Sequence, residues 1–171
     1  MLSVLFCGYK KDMSDNFEVS FNSPQCGWMS IGLSAGGREF HTTTAHAPHE
    51  KALAELLNIL TDMLDRDKPA LTHILKWNRD PEEFDFIFHK SGAKVKLEIV
   101  QYPTEERDTT EREIVFSFEG DTKDIAAAFY ETFVQLHADR HTDEFEFNWR
   151  QPFPAVEFEN FESKLKETRT V

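Results

Sequence analysis

Cysteine is scarce, with only Cys7 and Cys26 in 171 residues. The two form no Cys-x-x-Cys pair, match no metal-ligand spacing and cannot build a disulfide framework, so both are expected to be reduced, partly buried thiols. Basic side chains are also in deficit, 19 against 31 acidic ones, for a formal net charge of -12. A field of that sign argues against the nucleic-acid backbone and against an anionic membrane surface as partners. Long apolar runs are missing, and no stretch approaches the about 20 residues of a membrane span. The run from Leu2 to Phe6 is too short for a secretory signal. Lys10 and Lys11 follow that run instead of preceding it, and Phe6 stands where a lipoprotein signal needs a small residue. These absences predict a cytoplasmic protein with neither a nucleic-acid nor a membrane partner.

Catalytic motifs are missing too. There is no Walker spacing, no Gly-x-Ser-x-Gly elbow and no His-Glu-x-x-His. Gly36 and Gly37 fall between two predicted strands, the first of which contains Gly32, so the glycines read as a hairpin and not as a phosphate loop. The segment from Pro24 to Trp28 is superficially similar to the surroundings of a papain-type nucleophile. Such a thiolate needs a helix N-terminus, whereas Cys26 leads into a predicted strand. Carboxylates are too numerous for a glycosidase pair to be singled out. No catalytic residue and no cofactor is expected.

What the chain does have is phenylalanine, 16 residues beside only 3 Trp and 3 Tyr, and it falls into periodic patterns. Phe17, Val19 and Phe21 alternate with polar residues, as do Met29, Ile31 and Leu33, and both runs predict half-buried strands. Gly36-Gly37 turns the chain into a Thr-rich third strand over 38–45. Pro48 suits the first position of a helix, whose apolar stripe is Leu53, Leu56, Leu57, Leu60, Met63 and Leu64. Residues 71–78 read equally as helix or strand. Phe84, Phe86 and Phe88, then Val95, Leu97 and Ile99, then Ile114, Phe116 and Phe118 mark three further inward rows, with a charged, exposed loop over 103–111.

A second helix follows Gly120, capped by Asp121 or Thr122, with Ile125, Phe129, Phe133 and Leu136 as its stripe and Ala126 to Ala128 permitting close approach to a sheet. Residues 145–149 alternate again, and a short final helix is expected to carry Val156, Phe161 and Leu165. The order predicts an α+β, two-layer sandwich: an antiparallel sheet of about six strands, two main helices on one face (strand-strand-strand-helix repeated twice) and a short C-terminal helix. Residues 1–171 are expected to form one domain, with 1–16 as an N-terminal lead and 150–171 as a C-terminal appendage.

Two clusters are candidates for function. His137 and His141 are four apart on one helical face, with Asp139 beside them, which is a spacing that zinc ligation uses. Position near a helix C-terminus explains the same histidines through the macrodipole, so no metal site is assigned. The acid is concentrated: residues 98–124 hold nine acidic against three basic side chains, and Asp139, Asp143, Glu144 and Glu146 are opposed by Arg140. Glu105, Glu106, Asp108, Asp143 and Glu144 are candidate partner-binding residues for a basic protein, with Trp149 as an aromatic anchor.

The succession of the Gly36-Gly37 hairpin, the Leu-rich helix, Lys76-Trp77 to Pro81 and Phe84, a further hairpin, the Ala/Phe helix and Trp149 to Phe153-Pro154 resembles a group of small acidic bacterial proteins of unknown function. Proteins of that group are similar in size and acidity to toxin-immunity proteins. The resemblance spans most of residues 28–165 and carries no catalytic motif, so it transfers no site residue; the lead and the 103–111 loop depart from it. The charge of -12 with no assembled catalytic motif predicts a non-enzymatic protein-binding module whose acidic surface docks a basic partner, such as a nuclease-like toxin. The alternatives are a metal-dependent enzyme built on His137 and His141, and a homodimeric structural protein joined through an exposed sheet face.

Overall fold

A computed structural model describes residues 16–169. Cys7 and nearly all of the N-terminal lead lie outside the described residues. Strands β1 (Glu18–Phe21), β2 (Trp28–Ala35) and β3 (Arg38–Ala45) form an antiparallel sheet in that order. Its register places Phe21, Ile31 and Thr42 in one row and Val19, Leu33 and Phe40 in the next, so the alternation read from the sequence becomes one buried face. Gly36 and Gly37 both have positive φ, 55° and 77°, as the two-residue hairpin requires.

Helix α1 (Ala52–Leu64) buries Leu53, Leu56, Leu57, Leu60, Met63 and Leu64, the predicted stripe. It begins at Ala52 and not at Pro48, and among the described residues no side chain caps it. Residues 71–78 resolve as strand: β4 (Ala70–Asn78) pairs Leu75 with Phe86 and Trp77 with Phe84 of β5 (Glu83–Ser91). With β6 (Lys94–Tyr102) and β7 (Glu113–Asp121) these make a four-stranded antiparallel meander, β4-β5-β6-β7.

The protein is α+β, but among the described residues the expected single six-stranded sheet is two sheets of three and four strands. Phe40 of β3 explains the division. Its ring meets those of Phe84 and Phe86 at centroid distances of 5.6 and 6.1 Å, and that of Phe116 at 6.5 Å. The first sheet therefore lies across the inner face of the second and does not extend its edge. The remainder of that inner face is covered by helices, as Phe129 of α2 (Thr122–Asp139) against Phe88 illustrates.

Four smaller expectations are corrected. A bulge pairs Ile99 with Phe116 but Val100 with Ile114, so Val115 is the extra residue and Ile114 turns to the outer face, 59% exposed. Neither Asp121 nor Thr122 caps α2 through its side chain; the Thr122 hydroxyl donates instead to the Ala93 carbonyl at 2.8 Å. Residues 145–149 form a short helix, α3 (Phe145–Trp149), and not a strand, because the core takes Phe145 and Trp149 four residues apart and leaves Phe147 66% exposed. Finally, the last helix, expected to be short, runs for 15 residues as α4 (Ala155–Arg169). Its buried row is Phe158, Phe161 and Leu165, packed with Tyr130 of α2, while Val156 falls off that row and is exposed.

Candidate functional site

β7 runs into α2 without a loop, so strand and helix diverge from one corner. The wedge between them, closed on its third side by β1, is a cleft of about 720 Å³. Its floor is aromatic and small: Phe17 stacks on Phe118 with centroids 5.0 Å apart, beside Ala127 and Ala128. Its rim is acidic. Glu18, Glu119, Asp121, Asp124 and Glu131 line it, all exposed, and the basic residue in the lining, Lys94, lies 3.3 Å from Asp121. Asp124, Ala127, Ala128 and Glu131 are spaced three, one and three apart, which is one face of a helix. Carboxylates facing across a concave, low-dielectric wall focus a negative potential into the space between them.

A second acidic cluster is tied down. Glu83 and Asp85, two apart on β5, share the outer face of the second sheet and are 3% and 7% exposed. Arg107, from the loop after β6, reaches back over them. Its Nη1 donates to Glu83 Oε2 at 2.8 Å, its Nη2 donates to Asp85, and its guanidinium lies 4.4 Å from the Tyr102 ring centroid. Glu83 also accepts from Asn78 Nδ2 at 2.7 Å and pairs with His49 Nε2 at 2.9 Å, while the Tyr102 hydroxyl donates to Asp85 at 3.1 Å. Burial pushes the Glu83 carboxyl up, but the Asn78 and His49 hydrogen bonds and the charges of His49 and Arg107 outweigh it and hold the group below its usual range. This network pins the 103–111 loop, the turn before β5 and the approach to α1 to one another.

The sequence-derived candidates differ in exposure. Glu105, Glu106 and Asp108 are exposed on the pinned loop, where Thr104 donates to Glu106 and Thr110 donates to Asp108 through its amide and hydroxyl. Glu144 is exposed. Asp143 is half-buried and engaged: it accepts from the Ser23 hydroxyl, and its carbonyl accepts from Asn148 Nδ2 at 3.0 Å. Trp149 is 1% exposed and belongs to the core, so it offers no ring to a partner.

His137 is wedged beside Phe153 and Phe158, each ring centroid 5.1 Å away. Burial, with the Arg140 guanidinium adding to it, pushes its imidazole below the usual range, against the opposite pull of Glu159 and Glu162. His141 is exposed, Asp139 half-buried, and among the described residues no three His, Cys, Asp or Glu side chains are grouped to hold a metal ion. Cys26 is exposed, contrary to the expectation of a partly buried thiol, because the chain turns there with a φ of 51°.

The cleft carboxylates Glu18 and Glu131 were missed by sequence reasoning, which weighed charge by stretches of chain. The signal was the helical spacing of acid and alanine in 124–131. Among the described residues no helix is long and apolar enough to cross a membrane. No protein-family model, no curated protein and no solved structure matches the chain.

Proposed function

We infer that the protein is a non-enzymatic binding module that holds a basic protein partner through its acidic surface, in the manner of an immunity protein covering a cationic toxin. The observation that carries this reading is the cleft between β1, β7 and α2, where five exposed carboxylates surround an aromatic and alanine floor. Acid at the rim steers a cationic surface and fixes its orientation, and the floor accepts the stem of a lysine or arginine whose charge reaches the rim. The exposed Glu105, Glu106 and Asp108 stand on the loop before β7, whereas the cleft lies at the other end of that strand, so they form a separate acidic patch.

A deca-lysine peptide is the probe. Replacing Glu119 and Asp124 with lysine is expected to weaken its binding about tenfold or more at low salt, while the charge-matched change of Glu105 and Glu106 has an effect of about threefold or less. Fluorescence titration across an ionic-strength series measures both. Equal losses from the two variants, or affinity indifferent to salt, would remove the cleft as the docking site.

A second reading, a homodimer joined through the second sheet, is favoured by one feature. Ile74 and Ile114 lie on the outer face of that sheet, 54% and 59% exposed, with half-buried Ile87 paired to Ile74.

A further inference from the structure

Around the far side of α2's first turn lies a different cavity, of about 510 Å³, within the size range of small-molecule sites. Four segments converge on it: the C-terminal end of α1, the β5–β6 turn, the start of α2 and the end of α4. Met63 and Leu64 supply apolar wall. Lys90 also lines it, and is the exceptional residue, because it is a lysine only 7% exposed. Lysine is almost never this buried without a carboxylate partner. Among the described residues, the hydrogen bond of the Lys90 ammonium goes to the main-chain carbonyl of Asp65, which leaves two of its three N–H donors for another acceptor. Burial pushes the ammonium below its usual range despite the pull of Asp65 and Asp62, with Lys164 and Lys68 acting in the same sense as burial.

Lys123 and Arg66 join Lys90 in the lining, against Asp121 and Asp124. In a chain of net charge -12, this is a place where cations outnumber acids. Lys123 is exposed and donates to the Thr168 carbonyl at 2.7 Å, closing the cavity between α2 and α4.

We propose that this cavity binds a small monocarboxylate with an apolar body, its carboxylate meeting Lys90 and its hydrocarbon chain lying along Met63 and Leu64. A carboxylate supplies a counter-charge and a further acceptor for the N–H donors that the Asp65 carbonyl leaves unused. An amine of the same chain length meets Lys90 as a like charge, and an alcohol brings no charge. The inference goes beyond the acidic-cleft reading and does not depend on it, since no basic partner enters its test.

The probe is octanoate, with octylammonium and octanol as controls, followed by calorimetry and by amide shifts in heteronuclear spectra of the full chain. Octanoate is expected to bind, to move the amides of residues 90–93 and 122–124, and to bind at least about tenfold more tightly than either control. Lys90→Met is expected to lower octanoate affinity about tenfold or more. If that variant fails to fold, Ala93→Trp, at an exposed turn position in the cavity lining, blocks the space without touching the lysine. No octanoate binding at millimolar concentration, equal binding of octylammonium, or octanoate affinity unchanged in Ala93→Trp would each overturn the proposal.

Discussion

Arg107 shows how one side chain organises a surface that charge counting leaves undivided. Its guanidinium joins Glu83 and Asp85, and both carboxylates are buried beneath it. Removing one partner of such a cluster leaves the others desolvated and uncompensated, so Arg107→Ala is expected to lower stability by about 3 kcal/mol in urea unfolding. The pH dependence follows from Glu83. Its folded-state value lies below the ordinary 4.5, so the unfolded chain takes the proton first. The stabilisation is fully present above 4.5 and is lost as pH falls through the lower folded value. Glu83→Gln is expected to flatten that part of the acid limb. An unchanged limb, measured by urea midpoints from neutral pH downward, would contradict this assignment.

At the scale of elements, α3 is the instructive case. Phe145, Phe147 and Trp149 are two apart, and alternation alone reads them as one face of a strand. Packing selects Phe145 and Trp149, four apart, and the backbone winds into a helix to present them together. Trp149→Ala is therefore expected to cost about 3–5 kcal/mol, whereas Phe147→Ser stays within about 0.5 kcal/mol. Calorimetric unfolding of both variants distinguishes this from a strand, in which the two rings would matter alike. β7 makes the complementary point: one extra residue, Val115, turns Ile114 outward while Phe116 stays in the core.

At the scale of the whole molecule, the two sheets divide the surface by chemistry. The first sheet turns Ser20, His41 and Thr43 outward, with Gly32 leaving room for the His41 ring: a Cβ there would stand 2.7 Å from its Nδ1. The second turns Ile74, Ile87 and Ile114 outward beside the pinned acidic loop. If that apolar face joins two copies, sedimentation equilibrium gives a dimer and Ile74→Lys with Ile114→Lys gives a folded monomer. A wild-type monomer at about 100 µM excludes the dimer reading.

Local periodicity was enough to determine α1, α2, the Gly36-Gly37 hairpin and the inward rows of Phe84, Phe86 and Phe88, because a helix stripe or strand alternation is written into neighbouring residues. The acidity and the lack of catalytic motifs were equally legible. Tertiary structure alone decided that Phe40 crosses the second sheet, that Trp149 is core, that Glu83 and Asp85 belong to Arg107, and that Glu18 and Glu131 face one cleft. Each of these is a meeting of residues distant in the chain, chosen by competition among buried surfaces that no window of sequence contains. Lys90 illustrates the limit most directly: its identity is plain in the sequence, but its burial depends on four segments that meet only in the folded chain.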